Sequence, residues 1–211
     1  MKTNYFAISA VFSILTVNII MFMTQQFIPG FTDMFKLVSA DILTRPWIIV
    51  TSMFLHGSIP HLAFNMIGLY FFGTLLEERI GTKRFLLLYF GSGILAGISA
   101  TFFYHAALGA SGAVMGVLGT MIILMPNLKI MFNLIIPMPL WVAGIAWAAM
   151  DIFGIFNPSN IANIAHLAGM GTGLLYGLTL TQKKQKLTKR IKDKTHLDDE
   201  DVEELLRSGR I

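Results

Sequence analysis

The chain has 211 residues, of which 55% are hydrophobic and only 13% are charged, about half the charged fraction of a soluble domain. Sixteen of the 28 Asp, Glu, Lys and Arg residues follow position 182, so the first 182 positions hold too few charges for a water-exposed surface and must contact lipid. The absence of Cys excludes a disulfide scaffold, thiolate metal sites and a cysteine nucleophile.

Charge-free runs of the sequence predict six membrane-spanning helices. A spanning helix needs about 20 mostly apolar residues, and the charge-free run 85–128 is long enough for two, with Gly-Ala-Ser-Gly at 109–112 as the break. Pro126, Pro137 and Pro139 bracket a loop, because proline interrupts helices. The predicted fold is therefore an all-α membrane protein with a six-helix bundle over residues 1–182. Its helices cover residues 5–27, 60–78, 84–104, 111–126, 137–156 and 161–181.

Basic residues in the loops predict the orientation of the bundle, because cytoplasmic loops of membrane proteins are enriched in Lys and Arg. The opposite side has only Lys36 and Arg45, both in the long first loop. Both termini are therefore expected in the cytoplasm, and the protein is expected to be a multi-pass component of the cell membrane. The basic residues on the cytoplasmic side are Arg79, Lys83, Arg84, Lys129 and those that open the tail.

Residues 183–211 form a charged tail of different composition. Seven basic residues fall between Lys183 and Lys194, and they are expected to contact anionic lipid headgroups rather than nucleic acid. An acidic stretch, Asp198–Glu204, follows, and its first residues are suited to cap a short helix running through Leu206. Disorder is otherwise expected for the tail, and its composition identifies no partner.

Polar residues within or beside the predicted spans are candidates for function, because burying them in lipid is costly. His61 and Asn65 are four residues apart and share a face of the second helix, and His56 precedes them. A hydrogen bond between helices is an alternative explanation for these residues. Asp151, near the outer end of the fifth helix, is expected to reach the membrane interface and not to join a catalytic triad.

Two stripes of glycine predict that the fourth and sixth helices pack closely, because small residues let helices approach each other. This packing would bring Ser111 and His166 near each other on the outer side. A serine hydroxyl needs a base to remove its proton, and a tetrahedral intermediate needs donors for its oxyanion. Together with Asn65 and His61, these residues supply the parts required for acyl transfer. The stripes are Gly112, Gly116 and Gly119, and Gly169, Gly173 and Gly177.

Four motifs occur in order along the chain. They are His56-x4-His61-x3-Asn65, Glu77-Glu78-Arg79, Gly109-Ala110-Ser111-Gly112 and Ala165-His166-x2-Gly169-x3-Gly173. In sequence, order and placement on helices two, four and six they resemble the motifs of rhomboid intramembrane serine proteases. The resemblance covers about residues 1–182. It implies a six-helix prokaryotic basic-type rhomboid that cleaves transmembrane segments of single-span membrane proteins near the outer membrane face, with no metal or other cofactor.

The resemblance also implies the roles of the residues at the centre of the site. Ser111 would be the nucleophile and His166 the general base of a Ser-His dyad. Asn65 and His61, together with the backbone amide of Ser111, would form the oxyanion hole. The substrate would be a transmembrane-helix protein held in membrane lipid.

Further motif residues would have supporting roles by the same resemblance. Gly109 would hold the active-site turn open, and His56 would support the site without acting in the chemistry. Glu77 and Arg79 would brace the loop ahead of the third helix. The remaining supporting positions are the helix-packing glycines Gly112, Gly169 and Gly173.

Two positions depart from the family pattern. Met115 stands where many relatives have a Tyr that stacks against the base. A thioether can also pack on an imidazole edge, so activity is still expected. The first loop reads Arg45-Pro46-Trp47 where relatives often have Trp-Arg, and this change concerns loop structure rather than the chemistry.

Three other classes of membrane protein are alternatives to this interpretation. A membrane metalloprotease requires His-Glu-x-x-His, which is absent from the sequence. A six-span transporter is expected to show internal repeats, and none is found. A catalytically silent rhomboid-like protein that binds membrane partners is the main alternative. Such relatives lose the Ser or the His, whereas this chain has both.

Overall fold

The computed structural model describes residues 9–132, 135–157 and 161–195, and within these ranges the chain is mainly helical. The helices described are α1 (Ala10–Phe27), α2 (Phe31–Phe35), α3 (Ile48–Thr51), α4 (Ile59–Gly68), α5 (Thr74–Ile80), α6 (Thr82–Thr101), α7 (Ser111–Leu124), α8 (Leu140–Phe156) and α9 (Asn163–Thr195). A π-helical turn, Leu69–Gly73, joins α4 to α5, so that Ile59–Ile80 forms one continuous helix. Short 3₁₀ turns cover Ser39–Asp41 and Ser52–Phe54.

The described residues also form two short antiparallel strand pairs. The strands are β1 (Leu37–Val38), β2 (Ala106–Ala107), β3 (Lys129–Phe132) and β4 (Ile136–Pro139). Strand β1 pairs with β2, and β3 pairs with β4 in a hairpin. The first pair ties the long first loop to the segment that leads into α7, because the two segments share backbone hydrogen bonds.

Three of the described helices are long and apolar enough to cross a membrane: Ala10–Phe27, Ile59–Ile80 and Thr82–Thr101. Two further apolar helices, α7 and α8, are shorter. Helix α7 has 14 residues, most of them buried. A helix enclosed by protein need not match the lipid thickness, because its neighbours rather than lipid cover its side chains.

The packing of α7 against α9 is the closest helix contact around the site. A Cβ atom added at Gly169 would lie 2.0 Å from the backbone oxygen of Gly112, and one at Gly173 would lie 1.9 Å from that of Gly116. Only glycine leaves room for two backbones this close. Thr120 adds an interhelical hydrogen bond, donating its hydroxyl to the carbonyl of Gly173 over 2.9 Å. The predicted pairing of the two glycine stripes is confirmed.

The long helices of the described structure begin and end within a few residues of the predicted positions in most cases. Residues 5–8 of the first predicted helix lie outside the described part of the chain. The fifth helix was expected from 137, but it begins at Leu140 because 137–139 belong to strand β4. Proline fits there because an edge strand does not need every backbone N–H.

The sixth helix continues far beyond its predicted end at 181. Helix α9 runs to Thr195, so the expectation of disorder from 183 onward is wrong for the first part of the tail. The Lys, Gln, Arg and Leu residues there are strong helix formers, and neither Gly nor Pro interrupts them between 178 and 195. The short helix expected near Leu206 lies outside the described residues.

Candidate active site

Ser111 is the first residue of α7, and a tightly held turn presents it. Gly109, two residues earlier, has φ +126°, a conformation that side chains rarely allow. Its backbone N–H donates to the carbonyl of Ser52 over 2.9 Å, which fixes the turn against the first loop. The expectation that Gly109 shapes this turn therefore has a structural reason in its backbone conformation.

His166 lies in the first turn of α9 and contacts the serine directly. Its Nε2 is 2.8 Å from Ser111 Oγ, within hydrogen-bonding distance. The two residues are 55 positions apart in the chain, and the facing glycines of α7 and α9 bring them together. The predicted proximity of Ser111 and His166 is confirmed.

Asp151 contacts the opposite side of the same imidazole. Its Oδ1 lies 3.0 Å from His166 Nδ1, and the Asp151 residue is only 6% exposed. The prediction that Asp151 merely reaches the membrane interface is therefore wrong. Asp151 is near the end of α8 and His166 is near the start of α9, so the short connection between these helices brings both to one level.

His61 approaches the serine turn from α4. A Cβ atom added at Gly109 would lie 2.8 Å from His61 Nε2 and 3.8 Å from Ser111 Oγ, so the imidazole and the hydroxyl flank the same point. The backbone N–H of Gly57 is 3.4 Å from His61 Nδ1 and donates toward it. The absence of a side chain at Gly109 gives His61 its place beside Ser111.

Asn65 lies one turn further along the same helix and is almost fully buried. Its Nδ2 donates to the backbone carbonyl of His61 over 2.9 Å. A side-chain amide carries two N–H donors, so this bond occupies one of them and leaves the second for another acceptor. The described structure therefore anchors Asn65 and keeps it on the face that carries His61.

His56 lies in the connection ahead of α4, is 1% exposed and packs edge-to-face on His61 with ring centroids 5.0 Å apart. Burial, with a smaller effect from nearby His61, lowers the pKa of His56 to about 3. Gln25 of α1 holds the His56 backbone from both sides, accepting from its N–H over 3.0 Å and donating to its carbonyl over 3.2 Å. His56 thus forms a neutral, buried support for His61.

Glu77 links the start of α1 to the start of α6. Its carboxylate accepts hydrogen bonds from the hydroxyls of Ser9 (2.6 Å) and Thr82 (2.8 Å) and from the first backbone amides of α1, at Ala10 (2.9 Å) and Val11 (3.1 Å). An anion at a helix N-terminus satisfies otherwise unpaired N–H groups. Arg79, expected to brace the same loop, is exposed on the surface of the described structure.

Sequence reasoning missed two residues that hold the site together, Gln25 and Tyr104, and it misplaced Asp151 at the membrane interface. The hydroxyl of Tyr104 accepts from the backbone N–H of Ile164 over 3.1 Å and so anchors the first turn of α9. Gln25 and Tyr104 are polar residues near the ends of apolar helices, and this position is the feature of the sequence from which their roles could have been inferred. In the described parts of the chain, no cluster of three His, Cys, Asp or Glu residues is arranged to hold a metal ion.

A small cavity adjoins Ser111 on the side of the first loop. Its walls come from the first loop, α6, the turn before α7 and the first turns of α7 and α9, and most of its lining residues are apolar or small. Among them are Leu37, Gly97, Ala100, Ala107 and Ala165. The space beside Ser111 is therefore narrow and lined mostly by apolar or small residues.

Comparison with known proteins agrees with this architecture. The family model described as "Rhomboid domain" matches residues 43–183. The chain is 32% identical over 193 residues to "Rhomboid protein 1, mitochondrial" of Saccharomyces cerevisiae, covering 85% of this chain and 56% of that protein. It is 32% identical over 143 residues to "Putative rhomboid protease YdcA" of Bacillus subtilis, covering 66% of this chain and 70% of the relative.

"Rhomboid protease GluP" of Bacillus subtilis is 36% identical over 135 residues, which are 64% of this chain and 26% of that protein. The apolar helices and these similarities define an all-α membrane protein. The chain belongs to the rhomboid family. It spans about half the length of the yeast relative and about a quarter of GluP.

Proposed function

We propose that this protein is an intramembrane serine endopeptidase that cleaves transmembrane segments of single-span membrane proteins near the outer membrane face. The observation that carries the proposal is the 2.8 Å separation of Ser111 Oγ and His166 Nε2. Hydrogen-bond contact between a hydroxyl and an imidazole is the geometry that nucleophilic catalysis requires. The relatives YdcA and GluP are named as rhomboid proteases, which supports the same conclusion.

The reaction follows from this pair. Ser111 Oγ attacks the carbonyl carbon of the scissile peptide bond while His166 Nε2 takes the hydroxyl proton. The tetrahedral intermediate then collapses, the C–N bond breaks, and His166 gives its proton to the leaving amine. An ester of Ser111 remains. Water, deprotonated by His166, attacks this ester, releases the new carboxyl terminus and regenerates the hydroxyl.

The oxyanion of the intermediate needs donors that are already in place. We assign this role to the backbone N–H of Ser111, the side chain of His61 and the second N–H of Asn65. Because Ser111 opens α7, its backbone N–H is among the first four of a helix, which have no partner within that helix. The proximity of His61 Nε2 to the serine turn supports its inclusion.

The proposed position in the membrane follows from the length of α7. Six helices cross the membrane with both termini in the cytoplasm, and α7 ends near the basic Lys129 on the cytoplasmic side. Its 14 residues span about 21 Å, compared with roughly 30 Å of hydrocarbon. Ser111 therefore lies roughly 10 Å beneath the outer boundary of the hydrocarbon.

A substrate must present an extended peptide to this serine, because the scissile bond of an intact helix is shielded. Segments that contain Gly or Pro near the cut unwind most readily. The narrow apolar cavity beside Ser111 supports a preference for small side chains. The expected substrates are therefore single-span helices with such residues near the outer membrane face.

Labelling by a serine-reactive fluorophosphonate tests this proposal and separates it from a catalytically silent membrane-binding protein. The parent protein in detergent micelles should be labelled, and Ser111→Ala and His166→Ala should not. Ser13→Ala and His105→Ala are matched controls, because both side chains are exposed and outside the site. Labelling of Ser111→Ala at the parent rate would contradict the assignment, as would a folded parent protein that does not react.

The proposed topology has a separate test that uses the absence of Cys in the native chain. Single cysteines at Leu43, which is 92% exposed in the first loop, and at Lys83, exposed after α5, report opposite sides of the membrane. In intact cells an impermeant maleimide should label Leu43→Cys and leave Lys83→Cys unreacted until the cells are opened. Labelling of both before lysis would contradict the six-span arrangement.

A further inference from the structure

The imidazole of His166 is held from both of its nitrogens. Nε2 faces Ser111 Oγ at 2.8 Å, and Nδ1 faces Asp151 Oδ1 at 3.0 Å. The contact with Asp151 is sheltered, because the side chain of Asp151 is 9% exposed and that of His166 is 19% exposed. The three side chains come from three different helices, α7, α8 and α9.

The tautomer of a neutral imidazole, meaning which of its two nitrogens carries the proton, decides whether it can act on the serine. A neutral ring has one N–H and one bare nitrogen. To accept the Ser111 proton, Nε2 must be bare, so the ring proton must be on Nδ1. The carboxylate of Asp151 can only accept a hydrogen bond, and it therefore favours a donor N–H on the nitrogen that faces it.

We infer that Asp151 is a positioning residue, which fixes His166 in the form with its proton on Nδ1 and stabilises the imidazolium formed during attack by Ser111. This inference rests on the proposed function and extends the expected Ser-His dyad to a Ser-His-Asp arrangement. In this role Asp151 does not react with the substrate, and no proton passes to its carboxylate. It acts through His166, in the way that a buried carboxylate orients the base of other serine hydrolases.

A purely structural role is the alternative, in which the Asp151–His166 contact only joins α8 to α9. The two roles differ in what they change. A joining contact affects the melting temperature and leaves the chemistry of the folded protein intact. A positioning residue affects turnover and the location of the ring proton, even in protein that remains folded.

The kinetic test uses the full-length protein in proteoliposomes, with turnover of a single-span substrate, fluorophosphonate labelling and melting temperature measured on the same preparations. Asp151→Asn keeps the size of the side chain and removes its charge. We expect kcat to fall at least about 10²-fold, with KM changed less than about threefold, and labelling to slow in parallel. Asp33→Asn is the matched control, because that carboxylate is exposed in the first loop.

A spectroscopic test needs no activity. In the parent protein with ¹⁵N-labelled histidine, at alkaline pH, the signals of His166 should show a protonated Nδ1 and a bare Nε2. The His166 signals are assigned as those lost in His166→Gln. In Asp151→Asn this preference for protonated Nδ1 should weaken or reverse. Because the parent spectrum stands alone, the test holds even when Asp151→Asn fails to fold.

The outcomes separate this inference from the proposed function. Parent-like kcat and labelling in folded Asp151→Asn would overturn the inference, and so would a parent His166 with its proton on Nε2. Either result would leave Ser111 and His166 as the reacting pair. A parent protein that fails to label at Ser111 would instead contradict the proposed function, whatever the tautomer of His166.

Discussion

The close contact between Gly169 and Gly112 predicts how helix packing controls the positions of Ser111 and His166. An added Cβ at Gly169 lies 2.0 Å from the Gly112 carbonyl oxygen, whereas real Cβ atoms essentially never approach closer than 3.0 Å. Gly169→Ala must therefore separate α7 from α9 by at least about 1 Å. The obstruction is backbone rather than a flexible side chain, so rotamer changes cannot relieve it.

This separation acts directly on the proposed catalytic pair, Ser111 and His166. Gly112 follows Ser111, and Gly169 is about one turn from His166. A shift of about 1 Å between the two helices therefore takes the 2.8 Å contact of Ser111 Oγ with His166 Nε2 out of hydrogen-bond range. A misplacement of this size can reduce catalysis about 10²-fold. Overpacking costs typically 1–3 kcal/mol, partly offset by about 1 kcal/mol because Ala favours helix over Gly.

The assay compares kcat/KM and melting temperature in Gly169→Ala and Gly171→Ala. An added Cβ at Gly171, on the same helix, meets nothing within 4 Å. We expect Gly169→Ala to lose about 10²-fold in kcat/KM and to melt at a lower temperature. Gly171→Ala should match the parent in both measurements or be slightly more stable. Parent-like activity in Gly169→Ala would refute the claim that this glycine contact positions the Ser-His pair.

Three further predictions concern the supporting residues. Glu77→Ala should lower the free energy of unfolding by roughly 1–3 kcal/mol, because the amides at the start of α1 lose their acceptor. The control Glu78→Ala, at an exposed position, should have no effect. Equal losses of stability for the two variants in mixed-micelle unfolding would contradict this prediction. His56 has a lowered pKa of about 3, so its contribution to stability is present above about pH 6.5 and is lost as the pH falls. Between pH 7 and 5 the parent should lose about 2 kcal/mol more than His56→Leu, and parallel stability curves would disprove the shift. Asn65→Ala should reduce kcat by roughly 10²-fold with little change in KM if its amide stabilises the oxyanion, whereas normal kcat with a lower melting temperature would make it a packing residue.

The sequence was sufficient for the parts of the fold that depend on one-dimensional patterns. Charge-free runs located the long helices, because lipid excludes charge from spanning segments. The glycines at 112, 116, 169 and 173 identified which helices pack together, because such spacing has few purposes other than close approach. From that pairing the proximity of Ser111 and His166 followed directly.

The contact made by Asp151 was missed because it depends on the rotation of α8 about its axis, which the sequence does not specify. The depth of Asp151 in the membrane relative to His166 could be inferred from the sequence. Asp151 lies five residues before the end of α8, and His166 lies three residues after the start of α9. Two antiparallel helices with a short connection place such positions side by side. The direction in which Asp151 faces required the structure.

The β3–β4 hairpin and the length of α9 were missed for a different reason. Pro137 and Pro139 fit the first turn of a helix as well as an edge strand, so local sequence did not choose between them. The charges from Lys183 onward mark where lipid contact ends, and the predicted end of the sixth helix coincides with this boundary. A helix continues into water wherever its residues favour that conformation.

Cleavage of a single-span substrate in proteoliposomes tests the central claim most directly, with the cut site determined by mass spectrometry of both products. The substrate should carry Gly or Pro near the outer end of its transmembrane segment. The parent protein and the exposed-serine control Ser13→Ala should cut it at one position within that segment, and Ser111→Ala should leave it intact. Cleavage by Ser111→Ala at the same bond and the same rate would show that Ser111 is not the nucleophile.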